Sequence, residues 1–375
     1  MKQMKFAAIA LLIAVSFGAC DLINPDDEGN VVIVSENITV PTVWESSKVY
    51  VVEYGIYVDA NLTIEPGTVI KFKSGTWLSF GSSESMTLTA NGTADNPIVF
   101  TAEAAAPAPG AWQGLWFEGN ALSNSSMSFC TIEYAGHSNY PALNFDTKIS
   151  FNNNKVLNPK KKAVYSHEGF VAFEGNIIES TSDHAIEIYC NAVHTLGGNN
   201  ELTCGQGYGI MVNGGVMDDN TAVTWHKQSV PYYIEHGIFI DKSLTIMAGA
   251  TLKFAADAWL SFGSSNNATL TAIGTDAEPI VFTSAATTPA AGAWAGLFFE
   301  DNTTANTLLK YCVVEYGGKE NDNANITIVN TDGITIENCT IRYSSGYGVF
   351  LWESSWNNIN NTFTNNVLDD VYVGS

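Results

Sequence analysis

The sequence predicts an all-β protein, a parallel β-helix or solenoid built from two duplicated halves. Three observations support this prediction: one long stretch is written twice, its strands are short and closely spaced, and small marker residues recur about once per coil. After the first twenty residues, no segment keeps the apolar period of a helix long enough to predict one.

The duplicated stretch runs from Tyr50 to Gly136 and returns from Tyr232 to Gly318, at a constant offset of 182 and without a gap. About half of the aligned positions are identical, which indicates that one structural unit has been repeated. The landmarks LTI, WLSFGSS and PIVFT occur in both copies. We therefore predict a first half at residues 41–220 and a second half at residues 221–375, joined near residues 214–224.

The amino-terminal residues are predicted to be a targeting signal and not part of the fold. Two lysines precede an apolar run at residues 6–17, which is too short to span a bilayer, and small residues stand directly before Cys20. Residues 1–19 resemble a bacterial lipoprotein signal peptide. The resemblance implies cleavage before Cys20, diacylation of its sulfur, and a lipid anchor in the outer membrane or at the cell surface. The alternative is an ordinary secretory signal with an incidental cysteine.

Residues 20–40 are predicted to be an acidic tether followed by an N-terminal cap. The run DLINPDDEGN has few packing residues; it resembles the surface-export signal of Bacteroidetes lipoproteins, and a solvated linker is the plain alternative. From Val31 to Trp44 the sequence predicts one or two strands that cover the exposed end of the stacked core.

Within each copy, apolar and polar residues alternate with the two-residue period of a strand. In the first copy the runs include VVEYGIYVD, VIKF, WLSF, MTLTA and PIVFT, and turn sequences such as EPGT and NGTADNP separate them. Strands this short are stable only beside neighbours. We therefore expect each strand to pair with strands of the adjacent coils.

A shorter rhythm follows each copy, in which a small marker residue stands two positions before an aliphatic one. The markers are Cys130, Asn154, Asn176 and Asn200 in one run, and Cys312, Cys339 and Asn361 in a second. Their spacings of 22 to 27 residues, with about three strands between markers, are typical of one coil of a parallel β-helix. We predict that the first run forms one axial column of stacked amides, and that the second run continues it.

With these features the mature chain resembles the right-handed parallel β-helix, pectin-lyase-like superfamily, and its repeated unit is similar to those of Bacteroidetes surface lipoproteins. The resemblance makes polysaccharide cleavage the first activity to consider. Lyases of this fold need a cationic base beside carboxylates that hold calcium. The chain has a single arginine, Arg342, and the lysine triplet at residues 160–162 is predicted to be a solvated bend.

The sequence gives little support for a glycoside hydrolase site or a metal site. The stretch NTDGITIENCTI, with Asp332, is similar to a polygalacturonase motif, but Ser344 and Ser345 stand where that family has its next acids. Six scattered histidines show no ligand spacing, so we predict no metal and no cofactor. Cys190 and Cys204 flank a loop, and they either close a disulfide or serve as plain core residues.

The charge of the chain limits its partners. Sixteen basic residues face thirty-eight acidic ones, which gives a formal net charge of −22. Such a surface repels a phosphate backbone, so we predict no nucleic-acid partner. It also disfavours a bare polyanionic glycan unless bound cations intervene.

Tryptophan is the remaining candidate for binding. Alternation in WLSF turns Leu78 and Phe80 inward, which places Trp77 and its equivalent Trp259 outside. An exposed indole is a platform for a sugar ring or a partner protein, and a covering loop is the equal alternative. We therefore predict a non-enzymatic surface lipoprotein that binds glycan or protein on a side face of the β-helix. A carbohydrate-active enzyme, either polysaccharide lyase or glycoside hydrolase, is the alternative.

Overall fold

A computed structural model describes residues 30–219, 221–319 and 323–375. In these residues the chain forms short strands wound into a parallel β-solenoid of about 14 turns, which matches a right-handed parallel β-helix. The prediction of an all-β parallel β-helix is therefore confirmed. The signal peptide, Cys20 and most of the acidic tether lie outside the described residues.

The strands fall on either side of one short 3₁₀ helix, which spans Cys190–Thr195. Before it come β1 Val31–Val34, β2 Thr42–Trp44, β3 Val49–Val52, β4 Ile56–Val58, β5 Leu62–Ile64, β6 Val69–Phe72, β7 Trp77–Phe80, β8 Leu88–Asn91, β9 Ile98–Ala102, β10 Gly114–Phe117, β11 Ser126–Ser128, β12 Cys130–Glu133, β13 Leu143–Phe145, β14 Ser150–Asn152, β15 Lys155–Leu157, β16 Val164–Ser166, β17 Ala172–Glu174, β18 Ile177–Glu179 and β19 Ile186–Tyr189. After it come β20 Glu201–Thr203, β21 Ile210–Asn213, β22 Gly215–Met217, β23 Val223–Trp225, β24 Tyr232–Ile234, β25 Ile238–Ile240, β26 Ser243–Ile246, β27 Thr251–Phe254, β28 Trp259–Phe262, β29 Thr269–Ile273, β30 Ile280–Ser284, β31 Gly296–Phe299, β32 Leu308–Lys310, β33 Cys312–Glu315, β34 Ala324–Val329, β35 Asp332–Glu337, β36 Thr340–Arg342, β37 Tyr347–Trp352, β38 Ser355–Ile359, β39 Thr362–Thr364 and β40 Val371–Gly374.

These strands pair in parallel and form five sheets. Sheet A has the order β1-β3-β6-β9-β12-β15-β18-β20, and sheet C has the order β17-β14-β11-β8-β5-β2. Sheet B, with thirteen strands, has the order β39-β36-β33-β30-β27-β24-β21-β19-β16-β13-β10-β7-β4. Sheet D is β22-β25-β28-β31-β34-β37-β40, and sheet E is β23-β26-β29-β32-β35-β38. The region predicted as a cap supplies β1 and β2, which are edge strands of sheets A and C.

The 3₁₀ helix changes the phase of the coil. Before it the chain visits sheets A, B and C in turn, and the helix follows β19 at the point where the next strand of sheet C would stand. The chain then returns to sheets A and B with β20 and β21, opens sheets D and E, and afterwards visits B, D and E in turn. As a result β7 lies in sheet B, while its sequence equivalent β28 lies in sheet D.

The core consists of side chains stacked from coil to coil. Phe80, Phe117 and Phe145 occupy one such stack, with successive ring centroids 4.9 Å apart, and all three are fully buried. Parallel strands about 4.8 Å apart bring like rings into contact in this way. Burying each ring contributes about 1.5–3 kcal/mol, so the stack is a substantial part of the stability of the first half.

The first run of markers forms a buried column, as predicted. The backbone N–H groups of Cys130, Asn154 and Asn176 donate to the side-chain oxygen of the next marker at 2.9, 2.9 and 3.0 Å. The amide nitrogens of Asn154, Asn176 and Asn200 donate to backbone carbonyls of the preceding coils at 3.0, 2.9 and 3.1 Å. Each asparagine therefore satisfies turn backbone that water cannot reach.

The prediction that the second run continues this column is wrong. The Cys312 N–H donates to the Cys339 sulfur at 3.3 Å, and the Cys339 N–H donates to Asn361 at 2.8 Å, so the three residues form a column of their own. However, Cys312 opens a strand of sheet B, whereas Cys130 opens a strand of sheet A. The phase change at the 3₁₀ helix has moved the second run by one sheet.

The cysteines at the junction are free thiols. Cys190 opens the 3₁₀ helix and is buried, and Cys204 is partly buried. Burial raises the pKa of the Cys190 thiol to about 11, which makes it an inert packing group. Of the two alternatives for this pair, the structure shows core packing.

Candidate functional site

Trp77 lies on the outer side of sheet B, at the start of β7. Its neighbours Leu78 and Phe80 point inward and are fully buried, while the indole is only partly covered. The ring lies against the backbone of Gly55 in the preceding coil, where a Cβ atom would come within 2.3 Å of it. Glycine at this position therefore allows the indole to lie flat on the coil before it.

Four aromatic rings from successive coils form what we call the aromatic row: Tyr57, Trp77, Trp116 and Tyr140. Tyr57 meets Trp77 edge-on at 4.8 Å, Trp77 stacks on Trp116 at 5.2 Å, and Trp116 contacts Tyr140 at 5.5 Å with a 48° tilt. Tyr57 and Tyr140, at the two ends, are 41% and 51% exposed. The rings thus hold one another in place and present apolar surface to solvent.

A cleft of about 190 Å³ opens beside the second half of the row, and we call it the row cleft. Trp116, Glu118, Tyr140, Pro141 and Asn144 line it. The Ser79 hydroxyl donates to Glu118 Oε1 at 3.1 Å and so orients the carboxylate. The cleft combines ring surface with a carboxylate and an amide, which is a composition typical of small-ligand sites.

Trp259 has fewer aromatic neighbours than Trp77. It also rests on a glycine, Gly237, where a Cβ atom would come within 2.2 Å of the indole, and Phe239 meets its edge at 5.9 Å. Phe298 stands where the first copy has Trp116, and within the described ranges no ring contact joins it to Trp259. Because Trp77 is in sheet B and Trp259 is in sheet D, the structure does not bring the two predicted binding residues onto one face.

Farther along sheet B the outer face becomes polar. Lys162 hydrogen-bonds the Glu187 carboxylate, which also accepts from the Asn213 amide at 3.0 Å. His184 is buried, and its Nδ1 accepts from the Gly209 N–H at 3.2 Å, which leaves the proton of the neutral ring on Nε2. Burial lowers the pKa of both the Lys162 amine and the His184 imidazole. We call Lys162, His184, Glu187 and Asn213 the Lys162 cluster.

The prediction of a solvated lysine bend is therefore wrong for one of its three residues. Lys160 and Lys161 are exposed, but Lys162 is partly buried and paired with a carboxylate. The sequence did not reveal this because Glu187 lies one coil away, and only the register between coils brings it to Lys162.

The other candidates for catalysis are engaged in structural contacts. Arg342 Nε donates to Glu315 at 2.7 Å, and the exposed Asp332 accepts from the Ser355 hydroxyl at 2.5 Å. Ser344 is buried, and its hydroxyl donates to the Asn323 carbonyl at 3.2 Å. Within residues 30–219, 221–319 and 323–375 there is no group of three or more His, Cys, Asp or Glu side chains placed to hold a metal ion. The same residues contain no helix that is long and apolar enough to cross a membrane.

Sequence reasoning missed most of the row cleft. Trp116 differs from Phe298 in the other copy, and this substitution was the one visible signal. Tyr140 and Asn144 lie beyond the end of the aligned copies, so comparing the copies says nothing about them. Glu118 has an identical counterpart, Glu300, so the comparison did not distinguish it.

Comparison with known proteins yields one match. No curated protein and no solved structure matches the chain. The family model described as a pectate-lyase like beta helix domain matches residues 36–147 and again residues 215–330, which together exceed half of the chain. Both segments coil in the way described above, with three short strands to a turn. The chain therefore belongs to the pectate-lyase-like β-helix domain family.

Proposed function

We propose that this chain is a non-enzymatic, lipid-anchored surface protein that binds glycan along the outer face of sheet B. The observation that supports this is the aromatic row, in which four rings from adjoining coils contact one another. At the spacing of parallel strands, the row extends about 14 Å along the helix axis. An extended saccharide lying along the axis would stack its apolar faces on these rings.

A glycan fits this surface better than a folded protein does. The row and its cleft together comprise seven residues: Tyr57, Trp77, Trp116, Glu118, Tyr140, Pro141 and Asn144. A stable protein interface takes about 20–30 residues on each side. The net charge of −22 also disfavours uronate polymers, so the glycan is expected to be neutral or cationic.

Trp259 with Phe239 forms a smaller aromatic surface on sheet D, which we propose as a second, weaker site. Sheets B and D follow one another around the coil, so one straight saccharide would not contact both surfaces. The two sites are therefore expected to act independently rather than to gain from a shared ligand.

Protein lacking residues 1–20 can test the binding proposal on a glycan array, followed by affinity measurement on each glycan retained. Trp116→Ala is expected to weaken binding about tenfold, because the row loses its central ring and the cleft loses a wall. Trp259→Ala is expected to leave this affinity unchanged. Equal binding by wild type and Trp116→Ala would contradict the proposal.

The anchor is a separate proposal, supported by the sequence before Cys20. Two acyl chains suffice for stable membrane anchoring, where one is marginal. Cys20→Ser should release the protein from the membrane fraction of cells. Membrane retention of this variant would refute the anchor without affecting the binding site.

A carbohydrate-active enzyme is the second candidate, and the Lys162 cluster is the observation that favours it. Burial lowers the pKa of the Lys162 amine, as general-base catalysis would need. Against this, the Glu187 carboxylate stabilises the ammonium form and already accepts hydrogen bonds from two side chains. Product analysis on each bound glycan decides between the two. Sugar release that Lys162→Met abolishes would establish the enzyme.

A further inference from the structure

We propose that the row cleft binds an alkylammonium group, and that the glycan is one that carries free amino groups. This inference rests on the proposed glycan function and specifies its ligand class. The occupant is a protonated amino sugar seated in the cleft against Trp116 and Tyr140, with its charge beside Glu118.

The two rings supply the first part of the site. Their centroids lie 5.5 Å apart and their planes are tilted by 48°, so they form two walls of an open angle. A cation within about 6 Å of a ring centroid is attracted by the electrons of the ring face, and tryptophan is the strongest of the aromatic partners. The volume of about 190 Å³ accommodates an ammonium group together with the sugar carbons that carry it.

The carboxylate supplies the second part. Glu118 lines the cleft, and one of its oxygens accepts from Ser79 at 3.1 Å. Within the described part of the chain, no lysine, arginine or histidine forms an ion pair with Glu118. A carboxylate that has no internal cation and lies beside two rings is suited to a cationic ligand.

The surroundings favour the same charge. Asn144, at the edge of the cleft, donates to the exposed carboxylate of Asp146 at 3.1 Å. The opposing charge is Lys161, whose ammonium donates at 3.2 Å to the side-chain oxygen of Asn139, the residue before Tyr140. The Asp146 carboxylate and the net charge of −22 attract cations and repel anions, whereas the Lys161 ammonium acts in the opposite direction.

The second copy lacks the site and provides a matched control. Its Glu300 accepts from Ser261 as Glu118 does from Ser79, so the carboxylate is held in the same way. The aromatic wall is missing, because Phe298 replaces Trp116 and makes no ring contact with Trp259 in the described ranges. A carboxylate without the two walls is not expected to bind an ammonium group.

The test compares two ligands that differ in charge: an oligomer of glucosamine and its fully N-acetylated counterpart, titrated calorimetrically into protein lacking residues 1–20. We expect the charged oligomer to bind about tenfold more tightly. Glu118→Gln and Trp116→Phe should each remove most of this preference, whereas Glu300→Gln should leave it intact. Unchanged thermal unfolding of each variant excludes loss of fold as the cause.

The outcomes separate the two proposals. Equal affinity for both oligomers, lost in Trp116→Ala, keeps the glycan function and overturns the ammonium inference. Binding of a lysine-rich peptide through Glu118 without binding of either oligomer overturns both, in favour of a cationic protein partner. Absence of binding by all three ligands overturns the ammonium inference alone, because the glycan array and the Trp116→Ala variant test the glycan function separately.

Discussion

The two copies of the repeated unit have similar sequences but different surroundings. In the first copy Trp77 contacts rings on both sides, on sheet B, and in the second Trp259, on sheet D, contacts Phe239 as its single ring partner among the described residues. Two changes produce this difference: Phe298 replaces Trp116, and the 3₁₀ helix advances the second copy by one sheet. A repeated motif is therefore not by itself a repeated site, because the neighbours that complete a site come from other coils.

The largest expected difference between the two regions lies in their marker columns. Asn154→Ala leaves the buried Cys130 N–H without its acceptor and removes a donor to the Met127 carbonyl, and we expect it to cost about 4 kcal/mol of unfolding free energy. Cys339→Ala in the second column removes a weak sulfur acceptor for the Cys312 N–H and the weak bonds of the thiol to backbone carbonyls, and it should cost about 1 kcal/mol. Urea unfolding measures both. Equal losses would show that the amide column has no special role.

The junction between the regions should be nearly as sensitive. Lys242 stands where the first copy has Ala60; its side chain is fully buried and its ammonium pairs with Asp219. Asp219→Ala leaves this charge buried without a partner, so we expect a loss of about 3 kcal/mol in the same measurement. Asp218→Ala, at the exposed neighbouring position, is the control and should have little effect.

Exchanging one ring should reduce the difference in glycan affinity between the sheet B site and the sheet D site. Phe298→Trp gives the second copy the residue of the first, and we expect its affinity for the best glycan to rise about threefold at the sheet D site. Trp116→Phe should lower the affinity at sheet B by a similar factor. Calorimetry measures the stoichiometry and affinity of both variants. If Phe298→Trp leaves the affinity of the sheet D site unchanged, the position of the second copy on sheet D matters more than the identity of the ring.

The smallest expected effect is the pH dependence of the stability that the Lys242–Asp219 pair contributes at the junction. The hydrogen bond from Lys242 holds the pKa of Asp219 below its usual value. Since the folded pKa is depressed, the pair contributes stability above the unfolded pKa of about 3.9, and this contribution is lost as the pH falls through the folded value. The stability difference between wild type and Asp219→Ala should therefore shrink below about pH 4. A constant difference from neutral pH into acid would contradict this assignment.

The sequence predicted the coil and the first marker column because both depend on local spacing. It did not predict the phase change, because the 3₁₀ helix buries Ala192 and Val193 as a strand would and has no marker of its own. The same limitation applies to the site. Alternation along β7 identified Trp77, but the contact of Trp116 with Tyr140 depends on how neighbouring coils pack, which no local pattern encodes.

If the chain is tethered at Cys20, as proposed above, the phase change has a mechanical consequence. Elsewhere three sheets run side by side along the axis, but of the five sheets in the described part of the chain only sheet B continues through the junction. There the pairing of β21 with β24 carries the load that three ladders share in other coils. A pull along the axis should therefore separate the rod first at this point. A protease acting on the stretched molecule would then cut between the halves and leave the aromatic row on the fragment that carries the proposed anchor.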